Sequence, residues 1–161
     1  MTMPTNTDNI KIMHYTDSPS YELELTSRYC KALLIQLFNQ VCSEISPEEF
    51  AVLDTLCCNK GLCQRDIAKL ILKDRANTGR VLDSLEKKGF IKRYNDLKNN
   101  RMVRKTDITK EGREILKELT LRFQPIHERM CKIFSNEDIL ILRASLKKMR
   151  DAISKIVDMH I

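Results

Sequence analysis

The sequence predicts a mainly α fold: a winged helix-turn-helix with a two-stranded β-wing, flanked by N- and C-terminal dimerisation helices. Three observations predict it. Apolar residues recur at helical spacing through most of the chain. Two short helical segments in quick succession are followed at once by a strand–turn–strand pattern. The last amphipathic segment carries a narrow apolar seam with the coiled-coil period. The 161 residues include only 4 Gly and 4 Pro, too little turn punctuation for a sandwich or barrel of many short strands.

Residues 1–17 are polar and aperiodic and read as a flexible N-terminal arm. The next unit, 18–45, is the N-terminal helix of the dimerisation region. Ser18-Pro19 supplies its cap and first-turn proline, and Leu23, Tyr29, Leu33, Leu34, Leu37, Phe38 and Val41 recur at helical spacing. A second unit, 46–109, opens at Ser46-Pro47-Glu48-Glu49, where the Ser oxygen accepts from the third helical N–H and Glu49 reaches back. That helix carries Phe50, Val52, Leu53 and Leu56 and stops at Asn59-Lys60-Gly61.

Gln64 to Ile71 is the first of the two short helices. Asp74 caps the second, which runs to Lys88 with Val81, Leu82 and Leu85 as its inward stripe and Gly89 after its end. Phe90–Tyr94 and Arg101–Ile108 read as strands around a turn-forming Asn95–Asn100, making a wing whose tip carries Lys98, Arg101 and Arg104. The final unit, 110–161, holds C-terminal dimerisation helices. Thr109 caps the first, which Pro125 should kink or interrupt. Ser135 opens the last, with Ile139, Leu142, Leu146, Met149, Ile153 and Ile156 spaced 3, 4, 3, 4, 3.

Charge divides the same way. Residues 60–113 hold 16 Lys/Arg against 7 Asp/Glu, a net of +9, while the rest of the chain nets −3. A basic middle in a slightly acidic frame points to a polyanion partner, since phosphate neutralisation releases counterions. The six cysteines, Cys30, Cys42, Cys57, Cys58, Cys63 and Cys131, lack the paired spacing of a zinc site, so no metal or other cofactor is expected. No apolar run approaches the roughly 18 residues of a membrane span. The N-terminus shows no basic-then-apolar leader, so the expected location is the cytoplasm. The three histidines sit at no recognisable catalytic spacing and there is no Gly-rich phosphate loop, which argues against an enzyme.

The stretch Leu62-Cys63-Gln64-Arg65-Asp66-Ile67-Ala68, then Asp74 through Arg93 with its Leu85-Glu86-Lys87-Lys88-Gly89, resembles the core of MarR-type winged helix-turn-helix regulators. Asn100-Arg101 and Ile108-Thr109-Lys110-Glu111-Gly112-Arg113 resemble that family's wing and its transition into the next helix. The resemblance implies a bacterial transcription factor: a homodimer on a palindromic double-stranded operator, usually a repressor relieved by a small molecule or oxidant. Three positions depart from the pattern. Asn100 stands where the wing has Asp, Gly79 where Ser or Thr is typical, and Cys63 where a Thr or Ser cap is usual.

On this reading Arg75, Ala76, Asn77, Thr78 and Arg80 belong to the recognition helix. Arg80 suits guanine O6 and N7, and Asn77 suits adenine N6 and N7. Gln64, Arg65 and Lys73 are phosphate contacts. Arg101, beside Asn100, reaches the minor groove, with Lys98 and Arg104 as further wing charges. Leu142, Leu146, Met149, Ile153 and Ile156 form the dimer seam, whose opposite face mixes both charge signs and so fits a partner helix better than a membrane surface. By family likeness Tyr29, Phe38 and Phe123 mark an effector pocket; taken singly, each also reads as a core aromatic. Two alternatives stay open. Cys63 at a helix start could sense oxidants, with Cys57 or Cys58 as resolving thiol. Alternatively, the winged helix could serve protein–protein contact.

Overall fold

The computed structural model describes residues 14–41, 44–98 and 101–157. Most of the expected arm lies outside these residues, but Tyr15–Asp17 form a 3-10 turn. Tyr15 packs edge-on against Tyr21 and donates its hydroxyl to Glu24 at 2.7 Å. Helix α1 spans Pro19–Val41. The Ser18 hydroxyl accepts from Tyr21 N–H at its start.

Helix α2, Pro47–Cys58, begins with the expected capping box. Strand β1 is only Leu62–Cys63. Helices α3, Gln64–Leu70, and α4, Arg75–Lys87, form the helix-turn-helix. Between them Leu72 takes a left-handed φ of 55°. The chain then enters β2, Ile91–Lys98, and β3, Arg101–Ile108.

The three strands form an antiparallel sheet in the order β1-β3-β2. The two-stranded wing stands on a third short strand, because β1 pairs with Thr106 and Lys105 of β3 at its base. The hairpin is longer than its composition implies. Asn95 to Lys98 belong to β2 and pair in register up to Lys98↔Arg101. Lys105 neutralises Asp96 at 2.6 Å, and this cross-strand pair offsets the poor strand preference of Asp.

Thr109 caps α5, Lys110–Cys131, accepting from Gly112 N–H at 3.0 Å. The helix continues through Pro125, so the proline does not interrupt it; the loss is confined to the backbone donor that proline lacks. Helix α6, Asn136–Ile153, starts at a second capping box on Ser135.

One core holds the winged lobe together. Val52, Leu53 and Leu56 of α2 meet Ile67 of α3, Leu82 and Leu85 of α4, Ile91 and Ile108 of the sheet, and Leu116 and Leu119 of α5. Phe38 from α1 plugs into the same core beside Phe50 and Phe123. Helix α6, in contrast, buries none of its residues.

Two close approaches fix the lobe. At Gly112 a Cβ would stand 2.1 Å from the Phe90 carbonyl oxygen and 2.8 Å from Ile108 Cγ1. Only glycine lets the start of α5 lie against the base of the wing. The second approach is ionic. Glu49, 4% exposed, accepts from Lys88 Nζ on both oxygens at 2.7 and 2.8 Å, from Ser84 Oγ at 2.7 Å and from Ser46 N–H at 2.8 Å. This cluster ties the start of α2 to the end of α4. Burial alone would push the Glu49 carboxyl up. The hydrogen bonds from Lys88, Ser46 and Ser84, with the Lys88 charge, outweigh it and hold the group below the usual range.

Candidate nucleic-acid interface

The first turn of α4 is built by Asp74, whose carboxylate accepts from Asn77 N–H at 2.7 Å. With Leu82 and Leu85 turned into the core, Arg75, Ala76 and Arg80 are exposed and Asn77 is half-buried. Thr78 departs from expectation. It is 0% exposed, and its hydroxyl donates to the Asp74 carbonyl at 2.8 Å. It therefore cannot reach a base edge; its methyl group fills the core side of the helix while its hydroxyl bonds back four residues.

Gln64 and Gly79 explain each other. Gln64 Nε2 donates to the Arg75 carbonyl at 2.8 Å, and a Cβ at residue 79 would stand 2.9 Å from that nitrogen. The glycine lets α3 and α4 cross closely enough for this bond. Gln64 is thus committed through its amide nitrogen to holding the two helices together.

Arg65 is exposed, with Asp66 3.8 Å away. Lys73 is half-buried and pairs with Glu48 at 3.5 Å, so a phosphate would compete with that carboxylate for it. Across from the helices stands the wing. Gln64, Arg65 and Arg75 face Met102, Val103 and Arg104 over an open groove of about 460 Å³, with Cys63 at its edge. Lys98 and Arg101 close the described hairpin; their side chains, and Asn100, lie outside the described residues.

A network that the sequence reading missed joins the wing to α4. Arg93 of β2, with its side chain 10% exposed, donates to Glu86 and to Asp83 on α4, the latter at 2.6 Å. Arg104 lies 3.7 Å from the same Glu86. The Arg93 hydrogen bond, against a smaller effect of burial, holds the Glu86 carboxyl below its ordinary value, and Glu86 in turn raises the Arg93 guanidinium. A signal was present: acids at 83 and 86 share one helical face, and Arg93 sits two residues into the strand that follows.

Two of the three expected effector residues come together: Phe38 and Phe123 lie tilted at 45° with ring centres 4.7 Å apart, and Phe50 is edge-on to both. Phe38 is buried in the core, and Phe50 and Phe123 pack against it. Tyr29 is 71% exposed, on the stretch of α1 that extends beyond that core. A small cavity of about 150 Å³ lies instead among Tyr15, Tyr21, Glu24, Leu25 and Arg28.

Cys63 occupies the cap position of α3 without capping it. Its thiol is 3.0 Å from Asp66 Oδ2 and donates to it. Cys57, exposed, accepts from Arg113 at 3.6 Å. Cys57, Cys58 and Cys63 are all free thiols. Among the described residues no His, Cys, Asp and Glu cluster could hold a metal, and no helix is long and apolar enough to cross a membrane.

Of the seam residues, Leu142 and Ile153 are exposed and Leu146 and Met149 half-buried on α6. Ile156 lies beyond the helix in a turn and is 84% exposed.

Helix-turn-helix, exposed basic α4 and adjoining β hairpin define a winged helix-turn-helix protein. Residues 45–103 match the model of the MarR family. Solved structures extend the likeness over most of the chain. The S. aureus MepR–DNA complex is 25% identical, with a TM-score of 0.73 over 87% of this chain and 99% of that one. The transcriptional regulator SlyA is also 25% identical, with a TM-score of 0.69 over 84% and 94%. PcaV from Streptomyces coelicolor, solved with its natural ligand, shares the fold at 22% identity and a TM-score of 0.69 over 87% and 99%. No curated protein sequence matches.

Proposed function

We propose that this protein is a DNA-binding transcriptional regulator. It acts as a homodimer and represses from a palindromic operator until a small-molecule effector releases it. The observation that carries the DNA reading is the exposed, basic start of α4 standing beside the arginine-lined groove of the wing. An α-helix of this character fits the major groove, where Arg80 pairs with guanine and Asn77 with adenine. Arg65 and Arg104 neutralise phosphates on either side, and Arg101 enters the minor groove. MepR, which shares this fold, was solved on DNA. The two-fold arrangement draws on the apolar seam of α6, which a single protomer leaves uncovered. Two copies place their α4 helices about 34 Å apart on the duplex. Effector relief is taken from the family resemblance.

Selection of bound duplexes from a random library, followed by affinity measurement across salt, tests this reading. A palindromic consensus and a steep loss of affinity with salt are expected. In that assay Arg80→Ala relaxes preference at one base position, at a cost of about 1–3 kcal/mol, whereas Lys73→Ala weakens all duplexes alike. Failure to bind any duplex in dilute buffer, or a monomer at working concentration, would refute it.

A further inference from the structure

The inward face of the wing changes character in three steps as it leaves the lobe. Strand alternation and the β2–β3 register put Ile91, Arg93, Asn95 and Leu97 on one face, opposite Ile108, Thr106, Arg104 and Met102. At the base, Ile91 and Ile108 are buried in the core. Further out, Arg93 and Arg104 meet the acids of α4. At the outer end a side-by-side apolar pair follows: Leu97 is 69% exposed and Met102 67% exposed. Solvated residues are the ordinary occupants of such a position, especially on β2, an edge of the sheet. The pair gains little from the free protein, yet it sits on the side that faces the recognition helix. Met102 also lines the groove that Arg65, Arg75 and Arg104 border, beside its neighbour Val103 on the opposite face of the strand.

An exposed apolar pair beside a groove bordered by arginines matches one polymer closely. A nucleic-acid backbone presents anionic phosphates at regular intervals with hydrophobic deoxyribose carbons between them. We propose that Leu97 and Met102 are apolar contacts for the deoxyribose edge of the minor groove, packing against the sugars while the arginines hold the flanking phosphates. This inference rests on the DNA-binding reading above and adds a component of affinity that does not come from charge. It grips the duplex without reading bases, so it tightens operator and non-operator DNA alike.

The test uses the full-length chain and the duplex selected from the random library, with affinity measured over a range of salt. Leu97→Ser with Met102→Ser is expected to weaken binding about tenfold or more at every salt concentration, because apolar burial is lost, with the slope of log affinity against log salt unchanged. Arg104→Gln is expected to lower that slope by about one. Leu97→Met with Met102→Leu keeps the apolar surface and is expected to bind as wild type, which separates contact from wing distortion. Thermal unfolding of the serine variant should match wild type, since both side chains are exposed. Wild-type affinity in the serine variant, loss of slope instead of intercept, or failure of the apolar swap to bind would each overturn the proposal. A changed oligomeric state in sedimentation would overturn it too, by assigning the pair to a second copy of the chain. If wild type binds no duplex, the DNA reading itself fails and this inference falls with it; if wild type binds and the serine variant binds equally, only the inference falls.

Discussion

Removing the Glu49 carboxylate should loosen the joint between α2 and the recognition helix. Glu49→Ala deletes an acceptor for Lys88, Ser84 and the Ser46 N–H at once. Breaking a buried ion pair from one side costs about 3–5 kcal/mol, and loss of half a capping box adds up to about 1 kcal/mol. Lys88 softens the first figure. Its side chain is 34% exposed and it retains the Glu44 carbonyl at 2.5 Å, so the ammonium is not stranded. About 3 kcal/mol remains, equivalent to a fall in Tm of about 6–12 °C for a chain of this size. The assay is thermal unfolding at equal protomer concentration, supplemented by a cycle with Lys88→Met, for which a coupling above about 1 kcal/mol is expected. The pH dependence has a definite sign. A carboxylate held low in the folded state stabilises fully above its unfolded pKa of about 4.3 and loses that contribution as pH falls through the lower folded value. Acid should therefore narrow the gap between wild type and Glu49→Gln. An unchanged Tm in Glu49→Ala, or a gap that widens on acidification, would refute the reasoning.

Four further substitutions probe other joints. Leu72→Gly should leave stability unchanged or raise it by up to about 1 kcal/mol in urea unfolding, because left-handed φ strains leucine and its side chain is 74% exposed. Gly112→Ala should cost several kcal/mol or prevent folding, since its Cβ meets a backbone oxygen; Gly79→Ala displaces the flexible end of Gln64, so about 1 kcal/mol of helix propensity gained is offset by the strained hydrogen bond to the Arg75 carbonyl, and circular dichroism melts of the two should diverge. Arg93→Met should preserve most of the fold but uncouple the wing from α4: hydroxyl-radical footprints are expected to lose flanking minor-groove protection while the centre of each half-site stays protected.

Most helices could be read from the chain because their ends carry chemistry that acts locally. Ser46, Asp74, Thr109 and Ser135 each cap the helix that follows. What escaped depends on partners distant in sequence. Leu62–Cys63 is too short to show alternation and becomes a strand only by pairing with Thr106 and Lys105. Asn95 and Asp96 look like turn residues until Lys105 is placed diagonally across the ladder from Asp96. At the candidate site, Arg75, Ala76 and Arg80 were assigned to the outer face by helical spacing and are exposed, whereas Thr78 lies on the inner face and only the three-dimensional core decides that a threonine fits there. Tyr29 and Phe38 both read as apolar positions of one helix, yet nine residues separate a solvent-facing ring from a buried one.

Helix α5 is anchored at its beginning and loaded at its end. Gly112 seats one extremity directly on the backbone of the wing, and four residues past the other extremity begins α6, which leans on nothing buried. A 22-residue helix is about 33 Å long. With the Gly112 end seated, a tilt of only about 5° along a rod that long carries the far end through about 3 Å, comparable to the length of a hydrogen bond. The seat at Gly112 therefore governs where α6 stands.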